Sequence, residues 1–351
     1  MTADHVVLPD DEARHTPDGE DLWNESYYCD FVSADGSVGG WLRLGLYPNR
    51  QLAWWTTWIV RPDQPGVCSV DYRAPVPPGD SLVSESTAGT AATAATAGTA
   101  ATAAGHPGPS RIEIDLVRPL EAFRLAASAP AHIISPPEDV YVHGEQSGTP
   151  ARLDLDLTWT TDGVPYHYDL TTRYEIPCLV TGSVTIDGET FSIDGQGQRD
   201  HSWGVRDWWA FGWCWCSMRL DDGTRVHLAD IRMGIPGMPV FFGYIQTPGS
   251  PGSPGSPASS AAVHPATALT VAEDVGAHGF PSRARIEIAS APGYDDGATL
   301  GLEVTPVAFG PVLLRNDDGR TSRFPRAMVR CRTDDGREGM GWIEWNQPDH
   351  V

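Results

Sequence analysis

Short runs of alternating apolar and polar residues, separated by Asp-Gly pairs, are the feature that most limits how this chain can fold. Arg152–Trp159 (RLDLDLTW) and Arg111–Val117 (RIEIDLV) show the two-residue period of a strand with one buried face. Asp-Gly pairs such as Asp187-Gly188 follow these runs repeatedly, and glycine supplies the positive φ that a tight hairpin needs. No long amphipathic helix is evident after residue 20. The sequence therefore predicts an all-β protein.

The length of 351 residues and the layout of the two halves favour two consecutive antiparallel barrels, because closing a sheet removes its exposed edges. Each half has one strand rich in tryptophan and one low-complexity segment: TAGTAATAA occurs twice in the first half, and GSPGSPGSP occurs in the second. Neither segment offers an apolar face that could be buried. We expect a flexible acidic lead-in at 1–20, a first barrel at 21–180 with a disordered loop at 86–109, and a second barrel at 181–351 with a disordered loop at 248–268.

Composition excludes several classes of function. All 24 basic residues are arginine, so a Schiff-base lysine and a P-loop lysine are both ruled out. The net charge of −22 argues against a nucleic-acid partner, which requires a basic surface. The six cysteines have neither disulfide-framework nor zinc-site spacing. There is no apolar run long enough to span a membrane and no signal peptide, so we expect a cytoplasmic protein.

One segment, Gly195–Trp215 (GQGQRDHSWGVRDWWAFGWCW), carries more chemistry than a strand requires. Adjacent Arg, Asp and His side chains offer a cation, a carboxylate and a group that titrates near neutral pH. The alternative interpretation is structural, with Arg199–Asp200 and Arg206–Asp207 as buried pairs that hold a bend and the tryptophans as core. The spacing leaves both interpretations open.

The sequence R-D-H-S-W-G followed by R-x-W resembles the motif of the lipocalin-like carotenoid 1,2-hydratase (hydroxyneurosporene synthase) superfamily, and in particular an uncharacterised bacterial branch of it. Further similar stretches are WNESYY at 23–28, GLYPNR at 45–50 and GWIEWN at 341–346. The resemblance implies two lipocalin-like β-barrels. It also implies that His201 and Trp203 act with an aspartate further along, which here is Asp230. In the hydratases a tyrosine precedes that aspartate by two residues, whereas this chain has Leu228.

The resemblance implies acid–base chemistry, without a cofactor, on a C=C bond of a hydrophobic isoprenoid- or polyketide-like molecule: hydration, isomerisation or cyclisation. An acid that protonates an alkene must stay neutral in a dry pocket, and tryptophan faces can stabilise the resulting cation. The expected catalytic residues are Asp230, His201, Trp203 and Asp200. The expected substrate-binding residues are Arg199, Arg206, Trp208, Trp213 and Trp215.

A different class of function stays open at this stage, namely a non-catalytic carrier of a hydrophobic ligand, since barrels of this kind often bind without reacting. No metal site is expected. His201, His227 and Asp230 could be drawn as ligands, but His227 and Asp230 would lie on opposite faces of a regular strand.

Overall fold

The computed structural model describes residues 6–86, 109–235, 239–249, 261–290, 294 and 299–349. Nearly all regular structure in this part of the chain is strand, which confirms the all-β prediction. The helices are α1 (Asp139–His143) and three short 3₁₀ helices at Pro9–Glu12, Pro48–Arg50 and Ala277–Gly279. No helix among the described residues has both the length and the apolar character needed to cross a membrane.

The first eleven strands form one antiparallel sheet that closes on itself. They are β1 (Trp23–Ser33), β2 (Gly39–Tyr47), β3 (Leu52–Val60), β4 (Gly66–Ala74), β5 (Val83–Ser86), β6 (Ser110–Arg118), β7 (Ala122–Ile134), β8 (Thr149–Thr161), β9 (Tyr166–His167), β10 (Arg173–Ile186) and β11 (Glu189–Val205). Eight of them pair in the order β4-β3-β2-β1-β11-β10-β8-β7, and β4 pairs with β7 to complete the ring. This is the first barrel.

The remaining strands build a second antiparallel sheet. They are β12 (Gly212–Leu220), β13 (Arg225–Arg232), β14 (Val240–Thr247), β15 (Ala262–Val275), β16 (Pro281–Ser290), β17 (Thr299–Phe309), β18 (Val312–Arg315), β19 (Thr321–Phe324), β20 (Arg326–Thr333) and β21 (Glu338–Pro348). The pairing runs β12-β13-β14-β15-β16-β17-β20-β21, and β21 pairs back to β12. The prediction of two consecutive lipocalin-like antiparallel barrels is thereby confirmed.

Local sequence explains both the strands and their turns. In β8 the alternating residues Leu153, Leu155, Leu157 and Trp159 are buried inside the first barrel, and the polar residues between them face outward. Between β10 and β11, Asp187 has φ 48° and Gly188 has φ 89°. Positive φ at both central residues is the geometry of a tight hairpin turn. The Asp-Gly signal thus marks a real hairpin.

The strand pairing corrects the expected boundary between the barrels. Strand β10 crosses residue 180, and β11, which carries the RDHSWG motif, pairs with β1 and β10. The motif therefore belongs to the first barrel, whereas the sequence analysis assigned it to the second. A closed ring joins its first strand to its last, and this long-range pairing leaves no local signal in the sequence.

The expected loops are only partly open to comparison. Residues 87–108 and 250–260 lie outside the described part of the chain. The expected loop at 248–268 nevertheless extended too far, because β15 begins at Ala262 and its Ala266, Ala268 and Leu269 pair with β16. Alanine has a low strand propensity, so the local sequence did not indicate this strand, which is recognised by its pairing with β16.

The acidic lead-in is not simply a solvated tail. Pro9–Glu12 forms a 3₁₀ helix, and the Glu12 side chain is only 1% exposed. Its carboxylate accepts hydrogen bonds from the Arg199 guanidinium and from the Tyr174 hydroxyl, the latter at 3.2 Å. The lead-in thus supplies the counter-ion for a buried arginine of the motif, which corrects the expectation of a flexible segment at 1–20 where the structure describes it; residues 1–5 lie outside the described part of the chain.

Replacing Glu12 by alanine should lower the free energy of unfolding by about 3 kcal/mol, because Arg199 would remain buried without its counter-ion. Chemical denaturation of the full chain measures this change. Glu20→Ala is the control, since Glu20 lies in the same lead-in but is exposed. Equal stability of the two variants would contradict the assignment.

Candidate functional site

Strand alternation divides the RDHSWG motif between two environments. Arg199 and His201 are buried, and with Trp203 they lie on the side of β11 that faces the first barrel's interior. Asp200 points the other way, as does Gln198, whose side chain hydrogen-bonds to second-barrel residues. Successive residues of a strand point to opposite faces, so β11 contributes at once to the barrel interior and to the contact between the barrels.

The surface of the first barrel that meets the second is unusually charged. Strand register places Arg43, Tyr28, Asp200 and Glu175 side by side on β2, β1, β11 and β10. We call this surface the ionic face; its members are Tyr28, Asp30, Arg43, Arg173, Glu175 and Asp200. All except Arg173 are buried to more than nine-tenths.

Arg173 holds the two carboxylates of the ionic face together. Its guanidinium donates to Glu175 Oε1 at 2.8 Å and to Asp200 Oδ2 at 2.7 Å. Burial raises the pKa of Asp200 well above its usual range; Arg173 opposes this shift and Glu175 adds to it. Burial alone would also raise the pKa of Glu175, but the Arg173 charge, His227 and hydrogen bonds from the Gln198 and Trp215 side chains outweigh burial and lower it. Two adjacent carboxyls with pKa values shifted in opposite directions can serve as acid and base.

Glu175 also connects the two barrels. Its Oε1 accepts hydrogen bonds from Trp215 Nε1 of the second barrel at 3.1 Å and from the Tyr168 hydroxyl at 3.3 Å. The same hydroxyl lies 2.7 Å from His227 Nε2. Burial lowers the pKa of His227 to about 4, so this imidazole is neutral at pH 7. The ionic face is therefore in direct contact with polar groups of the second barrel.

The opposing surface of the second barrel is mainly aromatic. We call it the aromatic face; its members are Trp213, Trp215, His227, Phe242, Tyr244 and Trp342. Trp213 is half-buried at the rim beside Trp208, with ring centroids 5.7 Å apart. Arg43 of the ionic face lies over the Trp208 ring at 4.7 Å. Charged groups and π faces therefore meet at the rim, where the aromatic side chains are partly open to solvent.

Arg206 adds an unsatisfied donor to this region. Its Nη2 is buried and has no hydrogen-bond partner among the described residues. Burial, together with the nearby positive charge of Arg173, lowers the pKa of Arg206 to about 10, which leaves it cationic at pH 7. An unpaired guanidinium nitrogen beside Asp200 and Arg173 can bind an oxygen atom of a ligand.

Both barrel interiors are filled by the protein's own side chains. The first contains Phe31, Trp55 and Phe123 among its buried residues, and the second contains Met218 and Trp345. A solvent-open cleft of about 930 Å³ lies elsewhere between the barrels, and no residue of the ionic or aromatic face lines it. The candidate site is the region where the ionic and aromatic faces meet, because buried ionisable groups and aromatic rings lie together there.

Inside the first barrel, His201 lies in a second polar cluster. Its Nε2 is 2.6 Å from Glu25 Oε1, and its Nδ1 is 3.2 Å from the Tyr174 hydroxyl. His15 Nδ1 approaches the same Glu25 oxygen at 2.9 Å. Donor atoms of His15, Glu25 and His201 all lie within 4.8 Å of one another, so these side chains could hold a metal ion.

Comparison with protein families gives one match over almost the whole chain. The family described as "Domain of unknown function (DUF7064)" matches residues 8–349. The chain belongs to this family. No curated protein matches the sequence of this DUF7064 chain.

Solved structures with the same fold are similar at low sequence identity. AttH of Nitrosomonas europaea, a provisional assignment, has a TM-score of 0.58 at 12% identity and covers 98% of this chain and 97% of its own. Kievitone hydratase from Nectria haematococca has a TM-score of 0.55 at 11% identity, and the match covers 98% of this chain and 94% of the hydratase. CghA has a TM-score of 0.53 at 12% identity, and the match covers 96% of this chain and 93% of CghA. These similarities establish that the DUF7064 chain shares a fold with a hydratase.

The DUF7064 structure separates the residues that the sequence analysis expected to act together. Asp230 lies on β13 opposite Cys214, which is a core residue of the second barrel, and it pairs with Arg232 at 2.9 Å. His201 and Trp203 belong to the first barrel's interior, as does Arg199. The expected residues that lie at or beside the ionic and aromatic faces are Asp200, Arg206, Trp208, Trp213 and Trp215.

Several important residues were missed by sequence reasoning. Arg173 and Glu175 flank the motif strand in space but precede the motif by some 25 positions, in a run without a recognisable pattern. Asp30 and Glu25 lie on β1, whose pairing with β11 brings them to the motif. Among these residues, only Asp30 could have been noticed in the sequence. It is an acid within the otherwise apolar run Tyr27–Val32, and an acid buried in such a run requires a compensating partner.

The buried carboxyl of Asp30 should make the stability of the folded protein depend on pH. Burial raises its pKa from 3.8 to about 8, opposed by hydrogen bonds from the Gln198 N–H and the Tyr28 hydroxyl; Arg326 and Glu175 also face it. Because the folded pKa is raised, folding favours the protonated form. This contribution to stability is therefore lost as pH rises from about 4 to about 8.

Asp30→Asn removes this titration, so the variant should gain stability relative to the wild type between pH 5 and pH 8, by at most about 1.4 kcal/mol per pH unit. Urea unfolding at several pH values measures the difference. Asp115→Asn on β6 is the exposed control and should show no such trend. A difference between Asp30→Asn and wild type that does not change with pH would refute the interpretation.

Proposed function

We propose that this DUF7064 protein is an acid–base enzyme that acts on a C=C bond of a hydrophobic small molecule bound between the ionic and aromatic faces, with Asp200 as the proton donor. The observation that carries the proposal is the buried Arg173–Glu175–Asp200 cluster facing tryptophans of the other barrel. Protonation, water addition and ring closure all require an acid in an apolar surrounding.

In hydration, the Asp200 carboxyl would transfer its proton to one alkene carbon, and water would add to the other. The water proton then returns to the carboxylate, so the enzyme is unchanged after each cycle. The intermediate cation would be stabilised by the faces of Trp213 and Trp215, while Glu175 stays ionised beside Arg173. If the Asp200 carboxylate instead takes a proton from a carbon next to the cationic centre, the product is an isomer and the carboxyl is regenerated.

The structural comparisons support this class of reaction. One similar structure is named a hydratase, and CghA has also been solved with the compound Sch210972. The sequence resemblance to the carotenoid 1,2-hydratase superfamily favours the same chemistry. We further propose an isoprenoid- or polyketide-like substrate and no cofactor for this step, since the aromatic rim suits an extended apolar chain.

Asp200 replaces Asp230 as our candidate acid. Asp230 is paired with Arg232, which also binds Glu273, so its carboxyl is engaged within an ion-pair network of the second barrel. His201 contacts Glu25 and Tyr174 on the interior side of the first barrel, which is the opposite side of β11 from Asp200. In this proposal His201 holds β11 in place through its contacts with Glu25 and Tyr174 and does not act on the substrate.

The test uses Asp200→Asn, with Asp230→Asn as the matched control. Full-length protein is incubated in D₂O with acyclic isoprenoid alcohols, a linear carotenoid and polyenyl carboxylic acids, and products are followed by mass spectrometry. Wild type should incorporate solvent deuterium at carbon in at least one compound. Asp200→Asn should lose that activity by at least 100-fold, and Asp230→Asn should keep it.

Equal turnover by wild type and Asp200→Asn would remove Asp200 from the chemistry. If no compound reacts and native mass spectrometry shows a hydrophobic ligand retained unchanged, the protein is a carrier, which was the alternative left open by the sequence.

A further inference from the structure

We propose that His15, Glu25 and His201 form a binding site for a first-row divalent transition-metal ion, with Zn²⁺ as the reference ion, at the mouth of the first barrel. This site is separate from the proposed reaction between the barrels and does not depend on it. It joins the N-terminal segment to β1 and β11.

The donor atoms already converge. Glu25 Oε1 lies 2.6 Å from His201 Nε2 and 2.9 Å from His15 Nδ1. Zn²⁺ binds nitrogen and carboxylate oxygen at about 2.0–2.2 Å, so neighbouring donors around a tetrahedral ion are about 3.4 Å apart. The two donor pairs that include Glu25 Oε1 each need to separate by less than about 1 Å to admit the ion, and the His15 and His201 donors lie within 4.8 Å of each other.

The surroundings fix the ligands in the orientation that metal binding needs. His201 Nδ1 faces the Tyr174 hydroxyl at 3.2 Å, so a hydrogen bond there leaves the Nε2 lone pair directed at the site. The Tyr27 ring stacks on His201 with centroids 4.2 Å apart. Trp203 stacks on His15 at 3.7 Å and 7°, and this contact holds a residue of the lead-in in place.

Burial and charge suit a cation with one open position. The Glu25 side chain is 1% exposed, whereas His15 is 24% exposed, which provides an entry path and room for a bound water. The nearby Arg199 charge is already paired with Glu12. Two imidazoles and one carboxylate favour Zn²⁺, Fe²⁺, Ni²⁺ or Cu²⁺ over Mg²⁺ and Ca²⁺, which prefer oxygen ligands.

The competing interpretation is a hydrogen-bonded triad in which Glu25 accepts from both imidazoles and no metal binds. Both interpretations predict that the residues stabilise the fold, so loss of stability in a variant does not separate them. Metal stoichiometry and spectroscopy do. A bound ion also stabilises the folded state by an amount that grows with the logarithm of its concentration, and a hydrogen-bonded triad has no such dependence.

The experiment titrates EDTA-treated full-length protein with Zn²⁺ by calorimetry and with Co²⁺ by visible absorption. We expect one ion per chain, a Co²⁺ d–d spectrum of low coordination number, and a rise in melting temperature with Zn²⁺ but not with Mg²⁺. His15→Ala should weaken Zn²⁺ binding at least 10-fold. Because His15 is partly exposed, this variant should fold.

His143→Ala is the matched control, since His143 is an exposed histidine at the end of α1 and should leave Zn²⁺ affinity unchanged. Glu25→Gln is the second ligand variant and should also weaken binding. Absence of stoichiometric Zn²⁺ binding by wild type, or equal affinity in wild type and His15→Ala, would overturn the proposal and favour the triad.

Discussion

The contact on which the rest of the structure depends is the guanidinium of Arg173 between the carboxylates of Glu175 and Asp200. Burying two acids on the outside of a barrel is costly unless a cation and hydrogen bonds compensate. Arg173 supplies the cation, and Gln198 and Trp215 donate to Glu175. Because Trp215 belongs to the second barrel, neutralising this charge also positions that barrel against the first.

Strand β11 couples the parts of the molecule. One of its faces carries Arg199 and His201 into the first barrel, where Glu12 and Glu25 meet them; the other carries Asp200 to the second barrel. The lead-in and the inter-barrel site are therefore held by successive residues of one strand. A substitution that removes the contact between the N-terminal segment and Arg199 is therefore expected to shift the position of Asp200, because the two residues are adjacent in the backbone of β11.

Much of the fold could be predicted from the sequence because its signals are local. Alternation in β8 and the Asp187-Gly188 turn are properties of neighbouring residues. The importance of the motif was also visible, and Asp200 and Trp215 were among the expected site residues. The choice of Asp230 came from resemblance, and nothing local could reveal that β13 turns this residue towards Cys214 and Arg232.

The remaining site residues depend on pairings that sequence spacing does not encode. Glu25 lies 176 positions from its partner His201, and Glu12 lies 187 positions from Arg199. An acidic N-terminal segment ordinarily indicates a solvated tail, and nothing local distinguishes Glu12, which is buried against Arg199, from Glu20, which is exposed. The physical cause is barrel closure, which joins the first strand of the unit to the last.

The central claim is that a ligand binds between the ionic and aromatic faces and not inside either barrel. A crystal structure of the full chain with the compound that binds most tightly would test it directly. The account predicts electron density for the ligand within contact distance of Asp200 and Trp213, with both barrel interiors still filled by side chains. Density inside a barrel, beside Trp55 or Trp345, would contradict it.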